Sequence, residues 1–239
     1  MRFLTAIPVY NEASSVVDIL NKVRQFSEDI LVVDDGSTDA TCELLNTFQS
    51  VKVIRHEKNK GYGGALITAF NYAVSVGKFE ALLTMDCDGQ HDPSRASSLL
   101  NELNQADIVS GSRYLEYFTS DNQAPSDRLK VNRIITMELN KLLEFNLTDS
   151  FCGYKAYRTS GLAKLRITET GWGMPLQLWV QAAKLRLKIV EVPVPRIYLD
   201  PTRNFGAALN NPDERLRYYR QIIQKEWNSC FSHDVISNL

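Results

Sequence analysis

The feature that most constrains the fold is an alternation running from residue 3 to residue 114. The apolar run "FLTAIPV" (residues 3–9) is followed by Val16, Val17, Leu20 and Val23 at helical spacing. "DILVVDDGSTD" (29–39) then precedes "ATCELLNTF", with Asp39 placed to cap that helix. "VKVIRH" is a third strand, and the glycine turn "NKGYGG" opens the helix "ALITAFNYAVSV". "ALLTM" (81–85) leads through Asp92, as cap, and Pro93, at the first position, into another helix. "DIVSGSRY" is a fifth strand and its exit. Strands alternating with helices make right-handed crossovers, hence an α/β fold with a mostly parallel sheet and helices on both faces.

The second half loses this rhythm. Residues 114–127 read as a mobile loop, and "RLKVNRIITMELNKLLEF" reads as a long helix. "TDSFCGYKAYR" reads as a strand pair or turn. The helix "PLQLWVQAAKLR", the strand "KIVEVPV" and the amphipathic tail "PDERLRYYRQIIQKEW" follow. We expect one domain over 1–210 and a helical tail over 211–239, packed on the domain or lying at a membrane or partner surface. No internal repeat or low-complexity linker interrupts the chain.

Bulk properties remove several classes of function. The 239 residues are 44% hydrophobic and 23% charged, with a formal net charge of −1. That composition is globular and argues against a basic nucleic-acid binder. Cys42, Cys87, Cys152 and Cys230 are scattered, which fits a reducing compartment better than a disulfide framework or a cysteine metal site. The N-terminal apolar stretch is too short for a signal peptide, and no run approaches the roughly 18 residues of a membrane span. A cytoplasmic protein, soluble or peripheral on the inner face of the membrane, is expected.

In open α/β sheets, ligands bind beyond the carboxyl ends of the strands. Here those ends carry Pro8, Tyr10, Asn11 and Glu12; Asp34 and Asp35; Asp86 and Asp88; and Arg113. In "LLTMDCDGQHDP" (82–93) two carboxylates separated by one residue leave a buried strand. They repel unless a cation is near, and hard oxygen donors suit Mg²⁺ or Mn²⁺. His91 is a further candidate ligand, kept out of the expected metal set because Asp92 already belongs to the helix cap. Neither a dinucleotide fingerprint nor a P-loop is present. Gly61, Gly63 and Gly64 open a helix, where they could face a phosphate or simply permit close packing.

Five motifs, "IPVYNE", "VDDGSTD", "NKGYGGAL", "MDCDGQHDP" and "SGSRY", occur in the order and spacing of family 2 glycosyltransferases. The chain resembles that family over roughly residues 3–198, and most resembles its dolichyl-phosphate mannose synthase and polyprenyl-phosphate glycosyltransferase group. The resemblance implies the GT-A fold and transfer of a hexose, mannose or glucose, from GDP-mannose or UDP-glucose to a lipid phosphate. It places Pro8, Tyr10 and Glu12 at the nucleoside, and Asp34 or Asp35 at the base or ribose. Asp86, Asp88 and Gln90 would hold the divalent metal on the donor diphosphate. Arg113, Arg128 and Arg133 match arginines that hold the acceptor phosphate, a task suited to guanidinium; Arg128 and Arg133 could equally be a solvated helix face. Asp149 matches an active-site acid, with a turn-former as its competing role.

Many relatives that glycosylate hydroxyls carry a Glu-Asp pair where this chain has "GMPLQLWVQ", with Gln177 and Trp179. A lipid phosphate is already anionic and needs no strong base, so the missing pair points to a phosphate acceptor. Two alternatives remain open at this stage. One is a glycan or small-molecule hydroxyl acceptor with Asp149 as base; the other is a non-catalytic nucleotide-sugar-binding module. After "EVPV" the chain departs from the mannose-synthase pattern, and Arg196 or Arg203 would replace an expected Lys. No membrane helices are expected after the domain. Residues 134–147 and 218–227 are candidates for transient bilayer contact, or else core helices. A homo-oligomer is compatible with the sequence.

Overall fold

The computed structural model describes residues 1–199 and 206–231. In chain order the elements are β1 (Phe3–Val9), α1 (Val16–Val23), β2 (Ile30–Asp34), α2 (Thr41–Leu45), β3 (Lys52–Arg55), α3 (Tyr62–Val76), β4 (Ala81–Thr84), α4 (Ala96–Glu102) and β5 (Ile108–Ser112). Then come α5 (Ser126–Leu143), β6 (Lys155–Arg158), α6 (Thr159–Leu162), α7 (Met174–Lys184), β7 (Ile189–Pro193) and α8 (Pro212–Phe231).

The seven strands form one sheet in the order β3-β2-β1-β4-β6-β5-β7. Alternate strand residues face opposite layers, as a period of two requires. Leu4, Ala6, Leu31, Val33 and Leu82 join the core under α3, α5, α7 and α8. Ile7, Val9, Ile30, Val32 and Leu83 join the one under α1, α2 and α4. Both faces are covered, so β2, β4 and β5 are buried along their whole length. Asp92 accepts from the Ser94 N–H at 3.0 Å, ahead of a 3₁₀ turn at Pro93–Arg95 that continues into α4.

One strand runs against the rest. β6 is antiparallel to both β4 and β5 and lies between them, with Lys155 opposite Thr84 on one side and Ser110 on the other. The region expected as a strand pair or turn is therefore a single strand that splits the parallel set. The consequence is geometric. An antiparallel strand begins where its parallel neighbours end, so residues 149–154, just before β6, arrive at the edge where β4 and β5 deliver Asp86 and Arg113.

The terminal helix is a packed element. Tyr219 and Ile223 join the core, and α8 lies against α7 and α5. Met174 through Gln181 of α7 are all buried as a result. Glu226 of α8 is itself buried, and its carboxylate accepts from the amides of Gln177 and Gln181, each at 2.7 Å. The apolar residues of 218–227 are thus engaged in packing. Among the described residues, no helix is long and apolar enough to cross a membrane.

Candidate active site

β1 pairs with β2 on one side and β4 on the other, so the chain reverses direction across the sheet at the β1–β4 boundary. The crevice beyond such a switch point is where open α/β sheets bind ligands. Tyr10, Asn11 and Glu12 leave β1 there, Asp34 and Asp35 leave β2, and Asp86 to Gln90 leave β4.

Asn11 adopts the left-handed conformation (φ 55°), and its side-chain oxygen accepts from the N–H groups of Thr38 at 2.8 Å and Asp39 at 3.3 Å. This ties the β1 and β2 loops together. Pro8 is half-buried, Tyr10 is exposed and Glu12 is buried, with Ser15 Oγ donating to its carboxylate at 2.8 Å. Asp34 is wholly buried. Its Oδ1 accepts from Ser37 N–H at 2.8 Å. Arg55 Nε lies 3.3 Å from Oδ2, near enough to pair electrostatically, yet Oδ2 accepts no hydrogen bond among the described residues. Asp35 accepts from Lys60 N–H, Gly61 N–H and His56 Nδ1. It fixes the turn into α3, so its two oxygens are occupied within the protein.

The same turn decides between the two uses of the glycines. Gly64 N–H donates to Thr170 O at 2.9 Å. A Cβ at Gly61 would stand 2.5 Å from that same oxygen, and one at Gly63 would stand 2.4 Å from Glu169 O. The glycines admit the 169–173 loop against the start of α3, which is the close-packing role.

Asp86, Asp88 and Gln90 are half-buried. Tyr62 donates its hydroxyl to Asp86 Oδ1 at 3.1 Å, and Gln90 N–H donates to Asp88 Oδ1 at 3.0 Å. His91 is buried and stacked on Tyr154, with Nδ1 accepting from Asp86 N–H at 3.0 Å. Through that bond it braces the turn that Asp86 opens, and its Nε2 lies 3.9 Å from Asp86 Oδ2. Among the described residues, no cluster of three His, Cys, Asp or Glu side chains stands ready to hold a metal alone. Asp86 and Asp88 instead supply hard oxygen donors that fit Mg²⁺ or Mn²⁺ completed by water and phosphate oxygens.

Across the sheet, Arg113 and Asp149 form a bidentate pair. Nε donates to Oδ2 at 2.6 Å and Nη2 to Oδ1 at 2.9 Å. Asn132 of α5 donates to Asp149 Oδ1 at 2.7 Å, and Tyr198 OH accepts from Arg113 Nη1 at 3.1 Å. Glu191 of β7 holds the loop by accepting from the N–H groups of Thr148 and Asp149. Burial alone would raise the Asp149 carboxyl, but Arg113 and Asn132 outweigh it and hold it down at about 2. Burial likewise opposes the Arg113 charge, and Asp149 more than restores it. Asp149 is therefore a fixed anion that orients Arg113 and a poor proton acceptor.

Arg128 lies four residues before Asn132 on α5, which places the two on one helix face. Arg133 is turned about 100° from Asn132 and is exposed. The sequence reading missed Asn132, Tyr198, Tyr62, Gly153 and Glu191. Asn132 had a signal, because it and Thr136 interrupt the apolar stripe Val131, Ile135, Leu139 with buried polar groups. Arg196, part of the departure from the family pattern, bonds to the 121–122 segment through Asp121 and Asn122. Arg203 lies outside the described residues.

A mostly parallel sheet split by one antiparallel strand, with carboxylates at the switch point, is the architecture of the GT-A fold. The chain belongs to Glycosyl transferase family 2, whose sequence profile matches residues 5–166, and it is a glycosyltransferase. It is 35% identical to an undecaprenyl-phosphate mannosyltransferase of Micrococcus luteus, over 81% of this chain and 83% of that one. It is 32% identical to a polyprenol monophosphomannose synthase of Mycolicibacterium smegmatis, over 81% and 76% respectively. Its fold is shared with glucosyl-3-phosphoglycerate synthase of Mycobacterium tuberculosis, solved with Mn²⁺, UDP and glucosyl-3-phosphoglycerate. The TM-score is 0.69 at 18% identity, covering 96% of this chain and 80% of that one.

Proposed function

We propose that the protein transfers a hexose, with inversion, from a nucleotide diphosphate sugar to a polyprenyl phosphate. The observation that carries this reading is the Arg113–Asp149 pair. Among the described residues, the carboxylate bonded to the Arg113 side chain is Asp149, held in a form that does not take up a proton at neutral pH. A hydroxyl acceptor needs a base; a phosphate monoester does not. The named activities of the relatives in Micrococcus and Mycolicibacterium support the same acceptor class.

On the donor side, Pro8, Tyr10 and Glu12 border the nucleoside, and Asp34 Oδ2, beside Arg55 but accepting no hydrogen bond among the described residues, is an acceptor for a ribose hydroxyl or base N–H. Asp35 shapes that pocket through the turn it holds. Asp86 and Asp88, with Gln90 beside them, would hold the divalent cation. When bound, it offsets charge on the departing diphosphate as a Lewis acid. On the acceptor side, Arg113 retains N–H groups beyond those given to Asp149 and Tyr198, and these with Arg128 grip the phosphate. Positioning and fixed charge supply most of the acceleration. Such an enzyme works at the inner face of a membrane, where its acceptor resides.

The test is a product assay pairing GDP-mannose, UDP-glucose and UDP-GlcNAc with undecaprenyl phosphate or with undecaprenol, in Mn²⁺. Glycosyl-phospholipid forms from the phosphate and from one donor. Equal transfer to the free alcohol would overturn the reading.

A further inference from the structure

The donor carboxylate Asp86 is not held by its own strand alone. Its Oδ1 accepts from Tyr62 OH at 3.1 Å, and Tyr62 sits at the first position of α3, 24 residues earlier in the chain. The Tyr62 ring is in turn stacked on Trp172, with centroids 5.1 Å apart and planes 16° apart. Trp172 belongs to the 169–173 loop, which the small residues Gly61 and Gly63 admit against the start of α3. That loop is fastened from its far side by α8. Tyr218 donates its hydroxyl to Glu169 Oε1 at 2.5 Å and accepts from Gly173 N–H at 3.3 Å.

A second observation reaches the same point independently. A Cβ on Gly153 would stand 2.6 Å from Asp86 Oδ2 and 2.7 Å from Tyr62 OH. Gly153 closes the space in which the carboxylate and the phenol meet, so the 149–154 loop allows that pair only while residue 153 has no side chain. Three separate parts of the chain, the start of α3, the loop before β6 and the 169–173 loop backed by α8, thus converge on the orientation of one carboxylate.

We propose that Tyr62 is a positioning residue for Asp86, and that Trp172, anchored through Tyr218 of α8, holds Tyr62 in place. The terminal helix thereby sets cation affinity at a site it does not touch. A hydroxyl that bonds a ligating carboxylate restricts its rotation and orients its lone pairs, and removing such a partner typically lowers metal affinity by about tenfold or more. The proposal rests on the reading that Asp86 and Asp88 hold a divalent cation.

The experiment is Mn²⁺ titration followed by electron paramagnetic resonance, alone and with inorganic pyrophosphate standing in for the donor diphosphate. Wild type, Asp88→Asn, Tyr62→Phe, Gly153→Ala, Trp172→Phe, Trp172→Ala and Tyr218→Phe are compared, each with its thermal midpoint. Tyr62→Phe keeps the ring and its stack, and it is expected to weaken Mn²⁺ about tenfold at a nearly unchanged midpoint. Gly153→Ala weakens it to a similar degree. Trp172→Ala also weakens it, whereas Trp172→Phe restores most of the affinity, and Tyr218→Phe gives a smaller loss of about threefold. Wild-type affinity in both Tyr62→Phe and Gly153→Ala, with binding lost in Asp88→Asn, overturns the proposal and leaves the metal reading standing. Binding that is equal in wild type and Asp88→Asn, or absent from wild type under both conditions, overturns the metal reading and the proposal with it.

Discussion

On the donor side, Asp88 accepts from a backbone N–H group and Asp86 from the neutral Tyr62 hydroxyl, whereas on the acceptor side Asp149 accepts the fork of a guanidinium. Neutral donors orient a carboxylate without cancelling its charge. A guanidinium orients it and cancels the charge together. On the proposed function, the donor edge would thus keep negative charge for a cation, and the acceptor edge would present an arginine whose counter-charge is already in place. The two edges meet because β6 runs antiparallel between β4 and β5. On the proposed function the contrast would also separate chemistry from folding: the half-buried Asp86 and Asp88 would serve turnover, and the buried Arg113–Asp149 pair would serve stability as well.

Substitution at the two edges tests that separation. Asp88→Ala is expected to lower kcat by at least about a thousandfold, from loss of several kcal/mol of transition-state charge stabilisation. Its stability should stay within about 1 kcal/mol of wild type, because Asp88 is partly exposed. Initial-rate assays with urea unfolding measure both quantities; near wild-type turnover with metal present would break the donor assignment. Asp149→Asn should do the reverse in stability. It leaves the Arg113 guanidinium buried without its counter-charge, a loss of about 3–5 kcal/mol. Urea midpoints that are equal for the two variants would erase the distinction between the edges.

The acceptor pair also has a pH signature. The Asp149 carboxyl lies at about 2 in the folded protein, below the roughly 3.9 of an unfolded aspartate. A depressed folded value means that the unfolded chain binds the proton more readily. The contribution to stability is therefore complete above about pH 4 and is lost as pH falls toward 2. Urea unfolding between pH 7 and pH 2 should show this loss in wild type and a shallower one in Asp149→Asn. Equal slopes would place the acid sensitivity elsewhere.

The donor edge was more legible in the sequence than the acceptor edge, for a physical reason. Each expected donor group lies at or just beyond the end of the strand that delivers it, so short continuous apolar runs ending near Glu12, Asp34 and Asp86 point to it from local pattern alone. The acceptor edge is assembled from β5, α5, the 149–154 loop and the segment at Tyr198, up to 85 residues apart in the Arg113–Tyr198 bond. No local period encodes such contacts. The four residues of β6 carry no sign that they run antiparallel. The role of Gly153 appears only once Asp86 and Tyr62 have been brought beside it. Gln177 illustrates the same limit: the missing carboxylate was legible, but the buried Glu226 that arrives from α8 to bond its amide was not.

The smallest expected effect separates two arginines of one helix. Arg128 shares a face with Asn132, whose amide touches Asp149, while Arg133 is exposed and rotated away from that face. Arg128→Ala should raise the KM for polyprenyl phosphate about tenfold, the worth of a charge-assisted hydrogen bond, and leave the donor KM unchanged. Arg128→Lys should recover only part of this, because an ammonium keeps the charge and loses the planar fork. Arg133→Ala should stay within about twofold on both substrates, as befits a solvated side chain. An equal rise in acceptor KM for the two alanine variants would move the phosphate onto the outer face of α5. The acceptor edge would then extend beyond the buried pair, and the contrast with the donor edge would narrow to Asp149 and Arg113 alone.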